Sequence, residues 1–227
     1  MKKLFFGKAK SKIRNAYLVE WRFFKSNLWF WFKLSIIILF VSVVFFSLLF
    51  SYHRDMTEII RKRADTFIMK WNPGQPESDH LKTVIGFFVH NVRVFFLQIL
   101  SGLIPFLFLP MLFVIISSFG LAIFLVAAKL AGVSVLGAYF LGIFPHGIFE
   151  EIGGCYSASL GIFLCIESSK KMIHKWRGNS VPFLTIGKQI CRSCILIIIP
   201  LYAIAAIVEG LITPLLVRTL GKTVFPF

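Results

Sequence analysis

The chain has 227 residues, of which 57% are hydrophobic and only 15% are charged. A soluble globular domain carries about 25% charged residues, so this composition excludes a water-soluble fold and predicts an integral membrane protein. Lys and Arg number 25 against 10 Asp and Glu. Membrane proteins concentrate basic residues on their cytoplasmic side, so we attribute the excess to topology and anionic lipid headgroups rather than to nucleic acid.

The first element is a basic segment, residues 1–33, which carries nine Lys and Arg. Its apolar residues recur at three- and four-residue spacing, which predicts an amphipathic helix lying on the inner membrane surface. These residues are Ile13, Tyr17, Trp21, Phe24, Leu28 and Phe32. No small-residue cleavage pattern follows the next apolar run, so we expect the segment to remain attached.

Residues 34–217 contain uncharged stretches that are long enough to cross a hydrocarbon core of about 30 Å. We predict an all-α, polytopic transmembrane helix bundle of about five spans. The spans are Leu34 to Tyr52, Val84 to Ile104, Pro110 to Leu130, His146 to about Ser168, and Ser193 to Val217.

Prolines interrupt these uncharged stretches. Pro105 and Pro110 mark the predicted reversal between spans two and three, and Pro200 and Pro214 are expected to kink span five. The apolar piece Val133 to Phe144 is too short to cross a membrane alone. We therefore expect it to form a short re-entrant or interfacial helix that leads into span four.

The basic residues predict the orientation. The linker at residues 169–192 carries six Lys and Arg, and with the N-terminal segment it belongs in the cytoplasm. The loop at residues 53–83 has six basic and five acidic residues and is assigned to the extracytoplasmic side. We expect a multi-pass protein of the bacterial inner membrane with a cytoplasmic N-terminus.

Several polar residues fall within the predicted spans, where an ionisable group costs roughly 2.5 to 3.5 kcal/mol on insertion scales. We predict that they form one intramembrane network: Asn91, Arg93, His146, Glu150, Glu151 and Glu209. Helical rise puts the arginine and the acids of spans four and five roughly 9 to 14 Å below the outer ends of their spans. We predict an ion pair between Arg93 and Glu150 or Glu209, with His146 and Asn91 completing its hydrogen bonds.

Span four also carries a stripe of small residues, namely Gly153, Gly154, Ser157 and Gly161. Small residues let helices approach closely, so we predict a helix-packing face, with span five as its partner. A substrate groove is the alternative interpretation. Small faces of this kind, together with 27 Phe, also allow a homo-oligomer.

The sequence favours no enzymatic chemistry, and we predict no catalytic residue, no metal and no cofactor. A zinc protease would need a His-Glu-x-x-His motif, which is absent, and no second His lies in a span near His146. His90 in span two is the only other histidine at membrane depth. Cys191 and Cys194 form a C-x-x-C without a second pair, which makes a zinc site improbable.

The run Phe144 to Glu151, the glycine-rich helix after it, the basic linker and a terminal span with Glu209 resemble the stage II sporulation protein M family. Asn91 and Arg93 resemble the polar pair that opens the family's first shared span. The third span differs, because Ser117 and Ser118 stand where the family's pattern leads us to expect an Asn-Gly pair. The resemblance implies a bacterial inner-membrane protein without known catalytic chemistry.

Two functional classes follow from these observations. The resemblance implies a non-catalytic scaffold that organises membrane or cell-wall partner proteins, as in envelope or peptidoglycan remodelling. The intramembrane carboxylates favour a transporter or permease-like component that moves ions, protons or a small substrate. Bacteriocin export or immunity is a further variant of the second class, which the resemblance implies.

Overall fold

The computed structural model describes residues 2–53, 55–60, 80–177 and 182–220. These residues form five helices that are long and apolar enough to cross a membrane, and no strand occurs among them. The predicted all-α bundle of about five spans is therefore confirmed. The spans are Ser11–Tyr52, His80–Ser101, Pro110–Leu130, Val135–Ile173 and Phe183–Leu220, numbered one to five below.

Span one continues the basic N-terminal helix without a break. The helix Lys2–Phe23 passes through a π-turn, Phe24–Leu28, into the helix Trp29–Tyr52. The side chains of Ser26 and Asn27 both bond to the carbonyl of Phe23, at 3.2 Å each, and so compete with the backbone ladder at this turn. The predicted amphipathic helix and the first span are thus one continuous helix in the structure.

Three further π-turns each end two residues before a proline. Tyr139–Ile143 precedes Pro145, Cys194–Ile198 precedes Pro200, and Val208–Ile212 precedes Pro214. A proline lacks an amide hydrogen and its ring clashes with the carbonyl four residues earlier, and a wider turn at that point accommodates both defects. The helices consequently continue through their prolines instead of ending at them.

This geometry corrects the expectation for the piece before Pro145. The short helix Val135–Ala138 is joined by its π-turn directly to the helix Phe144–Arg177. Together they form one span, Val135–Ile173, of 39 residues. The predicted re-entrant or interfacial helix is therefore the first part of span four.

The reversal between spans two and three lies at residues 102–109, as the prolines predicted. Phe106 and Phe108 adopt positive φ angles of 67° and 49° there, which is costly for aromatic residues. The amide of Phe106 donates to Ser169 Oγ at 3.0 Å, so span four holds the loop in this conformation.

Span four is the centre of the bundle. Of the residues in its most apolar stretch, 61% are buried, against 39% or fewer in the other spans. Its Tyr156 and Leu160 share a buried cluster with Phe24 of span one and Phe95 of span two. Span three reaches it through Val114, which packs with Ala158. Polar residues in the middle of span four, such as Ser157 and Ser159, are therefore buried among neighbouring helices.

The two predicted connections are described in part. Within the predicted extracytoplasmic loop, residues 55–60 are helical and Ile60 packs beside Phe50; residues 54 and 61–79 lie outside the described part of the chain. In the predicted cytoplasmic linker, helix Phe144–Arg177 enters from one side and helix Phe183–Ser193 from the other.

The close approach of spans two, three and four at Gly161 gives a first prediction. A Cβ atom at this position would lie 2.6 Å from Pro110 Cγ and 2.9 Å from the carbonyl oxygen of Gln98. We expect Gly161→Ala to destabilise the protein by about 1–3 kcal/mol, because neither a proline ring nor a backbone carbonyl can move freely. Thermal unfolding in detergent measures the effect.

Gly120→Ala is the matched control, because a Cβ atom at Gly120 meets nothing within 4 Å. Both substitutions bring the same helix propensity, so only the packing differs. Equal melting temperatures for the two variants would contradict this account of the glycine contact.

Candidate functional site

Two adjacent carboxyl groups of span four bond to two different helices. Glu150 Oε1 accepts a hydrogen bond from Asn91 Nδ2 of span two at 2.5 Å. Glu151 Oε1 accepts one from Ser117 Oγ of span three at 3.0 Å. Consecutive helical residues project about 100° apart, so neighbouring carboxyls reach opposite neighbours. The pair thus connects three spans through polar contacts.

A cavity of about 120 Å³ lies beside these carboxyls. One water needs about 10–15 Å³ of such space, so the cavity has room for several. Its lining is polar at one side and apolar at the other. It is formed by Asn91, Val94, Gln98, Phe113, Val114, Ser117, Glu150, Glu151, Gly154, Cys155 and Tyr202.

Neither carboxyl has a cationic partner within the described part of the chain. They accept hydrogen bonds from the amide of Asn91 and the hydroxyl of Ser117, and the ion pairs among described residues lie elsewhere. A carboxylate pair with neutral donors and space beside it can take up a cation or a proton. This arrangement is the candidate functional site.

The structure contradicts the predicted ion pair of Arg93. Arg93 is exposed and makes no ion pair with Glu150 or Glu209. The physical reason is helical phase, because Arg93 lies two residues after Asn91 and therefore about 200° around span two. When Asn91 faces Glu150, Arg93 faces away.

His146 and Glu209, two other predicted network residues, do not line this cavity. His146 is buried, and its Nδ1 lies 3.1 Å from Thr213 Oγ1 of span five, a partner that sequence reasoning did not name. Glu209 is half-buried in the π-turn Val208–Ile212 and does not line the cavity. The predicted network therefore divides, with Asn91, Glu150 and Glu151 at the cavity.

Large side chains pack against the small residues of span four. A Cβ atom at Gly153 would lie 3.1 Å from the ring of Tyr202, and one at Gly154 3.8 Å from its hydroxyl. Ser157 is buried and donates to the carbonyl of Gly153 at 2.8 Å. The face thus lets Tyr202 of span five lie flat against span four, with Gly161 meeting spans two and three one turn further on.

A buried carboxyl apart from this pair, Glu20 of span one, was missed by sequence reasoning. It is 2% exposed. Its Oε1 accepts hydrogen bonds from Tyr156 at 2.6 Å and Ser193 at 2.5 Å. Its Oε2 lies 3.1 Å from Arg192 Nε and accepts a bond from Gln189 at 3.2 Å. This Glu20 cluster joins spans one, four and five.

A signal for Glu20 exists in the sequence. The apolar stripe of the N-terminal helix passes through Ile13, Tyr17 and Phe24, and Glu20 stands three residues after Tyr17 and four before Phe24. An acid inside an apolar stripe indicates a buried group with partners. The only acid among residues 1–54 therefore marks a helix contact.

These observations define the class of protein: an all-helical, multi-pass membrane protein with polar residues gathered inside its bundle. The family described as Stage II sporulation protein M matches residues 35–214, and the chain belongs to this family. The resemblance seen in the sequence is thereby confirmed. No curated protein and no solved structure matches the chain. The matched range contains the carboxyl pair and begins after Glu20.

The Glu20 cluster yields a second prediction. Arg192→Leu removes the one basic side chain that, among the described residues, pairs with a carboxyl that is 2% exposed. We expect a loss of about 3 kcal/mol in unfolding free energy, because the carboxylate remains buried without its cation. The double variant Glu20→Leu/Arg192→Leu should regain much of this loss, as measured by thermal unfolding and membrane abundance.

Glu167→Gln serves as the control, because Glu167 pairs with the exposed Lys170 at 2.8 Å. A surface pair of this kind contributes about 1 kcal/mol or less. If the double variant loses as much stability as the two single variants added together, the coupling between Glu20 and Arg192 is absent and the prediction is wrong.

Proposed function

We propose that this protein is a non-catalytic membrane scaffold that holds partner proteins at the bacterial inner membrane, with its N-terminus in the cytoplasm. Membership of the Stage II sporulation protein M family supports this role. The observation that carries it is an apolar groove on the side of the bundle. The partners would be other membrane proteins of envelope or peptidoglycan remodelling.

The groove has a volume of about 510 Å³ and lies between spans one, three and four. Span one contributes Phe40, which is 65% exposed, and the first half of span four contributes Leu136, which is 70% exposed. Gly147 and Glu151 also line it. The groove therefore combines exposed apolar walls with one small residue and one carboxyl.

These features suit a partner's transmembrane helix. Lipid tails are as apolar as leucine, so helices associate in membranes through close packing and hydrogen bonds rather than through hydrophobicity. Gly147 provides the close approach, and the carboxyl of Glu151 provides an acceptor for a donor on the partner. A surface that faced lipid alone would gain nothing from either feature.

The cytoplasmic placement of the N-terminus rests on charge. The N-terminal helix and the helix Phe183–Ser193, which contains the end of the basic linker, lie at the same end of the bundle, since Arg192 contacts Glu20. Both regions are rich in Lys and Arg, and cytoplasmic segments carry this excess.

A second candidate function is cation or proton movement, which the polar cavity favours. Glu150 and Glu151 lie beside space for several waters and have neutral donors only. Ionisable residues at membrane depth commonly mark ion or proton pathways. This function would use the same bundle and a different surface.

The scaffold function predicts a groove-specific contact in cells. A photo-crosslinking amino acid at Ile148, which lines the groove, should give a discrete protein adduct. Gly147→Leu fills the groove and should abolish that adduct, whereas Gly120→Leu, on open space of span three, should leave it intact. Adducts are measured by gel shift and mass spectrometry, with membrane abundance checked for every variant.

The same crosslinker at Ile116, which is 57% exposed and outside the groove, is the control for nonspecific crosslinking to other membrane proteins. Equal adducts at Ile148 and Ile116, or an Ile148 adduct that survives Gly147→Leu, would argue against a partner site in the groove.

The transport function predicts flux that depends on the carboxyl pair. Purified protein in liposomes that contain a pH-sensitive dye should pass protons under an imposed potential. Glu150→Gln/Glu151→Gln should reduce this flux to the level of empty liposomes, while Arg93→Gln, on an exposed residue away from the cavity, should retain it. Wild-type flux no greater than that of empty liposomes, for protons and for monovalent cations, would eliminate this candidate.

A further inference from the structure

An exposed row of alternating aromatic and basic residues runs along one face of span one. Trp21, Lys25, Trp29 and Lys33 follow each other at four-residue intervals, and all four are exposed. We call these four residues the Trp-Lys ladder. Neither the carboxyl pair, the groove nor the Glu20 cluster uses any of them.

Each lysine of the ladder lies over the indole that precedes it. Lys25 Nζ is 4.9 Å from the centroid of Trp21, and Lys33 Nζ is 5.3 Å from that of Trp29. Such cation–π contacts orient the ammonium groups and leave their remaining hydrogens free to donate. The ladder therefore presents oriented cations rather than freely rotating ones.

Buried Phe24 and half-buried Phe32 pack against the two indoles. Phe24 stacks on Trp21 at 5.7 Å, meets Trp29 edge-on at 5.5 Å, and itself stacks on Tyr156 of span four at 5.5 Å. Phe32 stacks on Trp29 at 6.3 Å. The two indoles are thus fixed to the bundle core, and a cleft of about 390 Å³ lies between Trp21, Lys25 and Trp29.

The π-turn Phe24–Leu28 keeps the ladder on one face. In an α-helix residues four apart advance about 40° beyond a full turn, so a row at that spacing drifts around the axis. A π-turn has i→i+5 hydrogen bonds and holds more residues in each turn, which offsets this drift in the middle of the row.

The positive charge of the ladder is not neutralised. Glu20 is the only acid in the segment from residue 11 to 53, and its carboxyl is buried against Arg192, Ser193 and Tyr156. Within the described part of the chain, Lys25 and Lys33 on the exposed face of the helix form no ion pair with a carboxylate. A bound group of negative charge would complement it.

The ladder also lies at the depth of lipid headgroups. The uncharged run of span one begins at Leu34, directly after Lys33. Trp and Lys at such a boundary commonly mark the membrane interface, where indole N–H groups meet phosphates. From Trp21 to Lys33 the row extends about 18 Å, so it reaches from the hydrocarbon boundary through the headgroup layer.

We propose that the Trp-Lys ladder is a binding site for the phosphodiester headgroup of an anionic membrane lipid. The phosphate lies in the cleft lined by Trp21, Lys25 and Trp29, where it accepts a hydrogen bond from the ammonium group of Lys25. Lys33, which lies over Trp29, adds positive charge beside the cleft, and the acyl chains follow the apolar face of span one. The site extends beyond a scaffold or transport role, because it uses none of the residues of either.

Tryptophan quenching in proteoliposomes tests the proposal with the full chain. Trp31, Trp71 and Trp176 are changed to Phe, so that only the two ladder tryptophans of the five emit. The protein is placed in phosphatidylcholine vesicles that contain a minor fraction of phosphatidylglycerol, and the bromine label is carried either by phosphatidylglycerol or by the same fraction of phosphatidylcholine. Stronger quenching by the labelled phosphatidylglycerol is the expected result.

The lysine variants identify the cause of the preference. A lysine near a membrane surface contributes about fivefold to the affinity for anionic lipid. Lys25→Gln/Lys33→Gln should therefore abolish most of the preference, and Lys25→Arg/Lys33→Arg should restore it, since arginine also donates to phosphate. Arg93→Gln/Lys129→Gln removes the same charge from exposed positions elsewhere and should keep the preference.

Equal quenching by the two labelled lipids in the wild-type ladder overturns the proposal without reference to any variant. A preference that persists in Lys25→Gln/Lys33→Gln, with an unchanged melting temperature, overturns it as well. If that variant is unstable, the arginine variant and the protein with the unchanged ladder are compared instead. Unlabelled phosphatidylglycerol is then added as a competitor. A headgroup site saturates, so the competitor should relieve the quenching, whereas nonspecific attraction would not saturate.

Discussion

A carboxyl group buried within a helix bundle requires hydrogen-bond donors from the protein, because burial removes it from water. Two arrangements in this molecule meet that requirement differently. Glu20 receives donors from spans four and five, including the cation of Arg192. Glu150 and Glu151 receive one neutral donor each, from spans two and three. The need for donors therefore fixes which helices must be neighbours, and span four becomes the centre because it participates in both arrangements.

The spans themselves could be predicted, because hydropathy over about 20 residues reports directly on the cost of placing a segment in a bilayer. Pro110–Leu130 begins and ends where the prolines and charges predicted. The continuity of span four could not be predicted. Pro145 has the same helix-breaking chemistry whether or not a π-turn precedes it, and only tertiary packing decides that a wider turn forms.

The candidate site was predicted in its residue types and partly in its members. Asn91, Glu150 and Glu151 do line one cavity. The predicted pairing of the carboxyls with Arg93 is wrong, because helical rise gives the depth of a residue in the membrane but not its rotation about the axis of span two, and residues 91 and 93 face opposite sides. Glu20 was missed for a different reason. The basic composition of its segment predicts a surface helix, on which an acid among basic residues needs no explanation, although Glu20 stands in the apolar stripe.

The surfaces proposed for the two candidate functions share one residue. Glu151 lines both the polar cavity and the apolar groove, while Glu150 lines the cavity alone. A partner helix in the groove would cover one side of Glu151 and exclude water there. Because water is excluded, any hydrogen bond that the carboxyl makes becomes stronger, and the free-energy cost of leaving the carboxyl unpaired rises. Occupation of the groove and the protonation or cation binding of the cavity would thus be linked through a single carboxyl, and each would change the affinity for the other by the same factor.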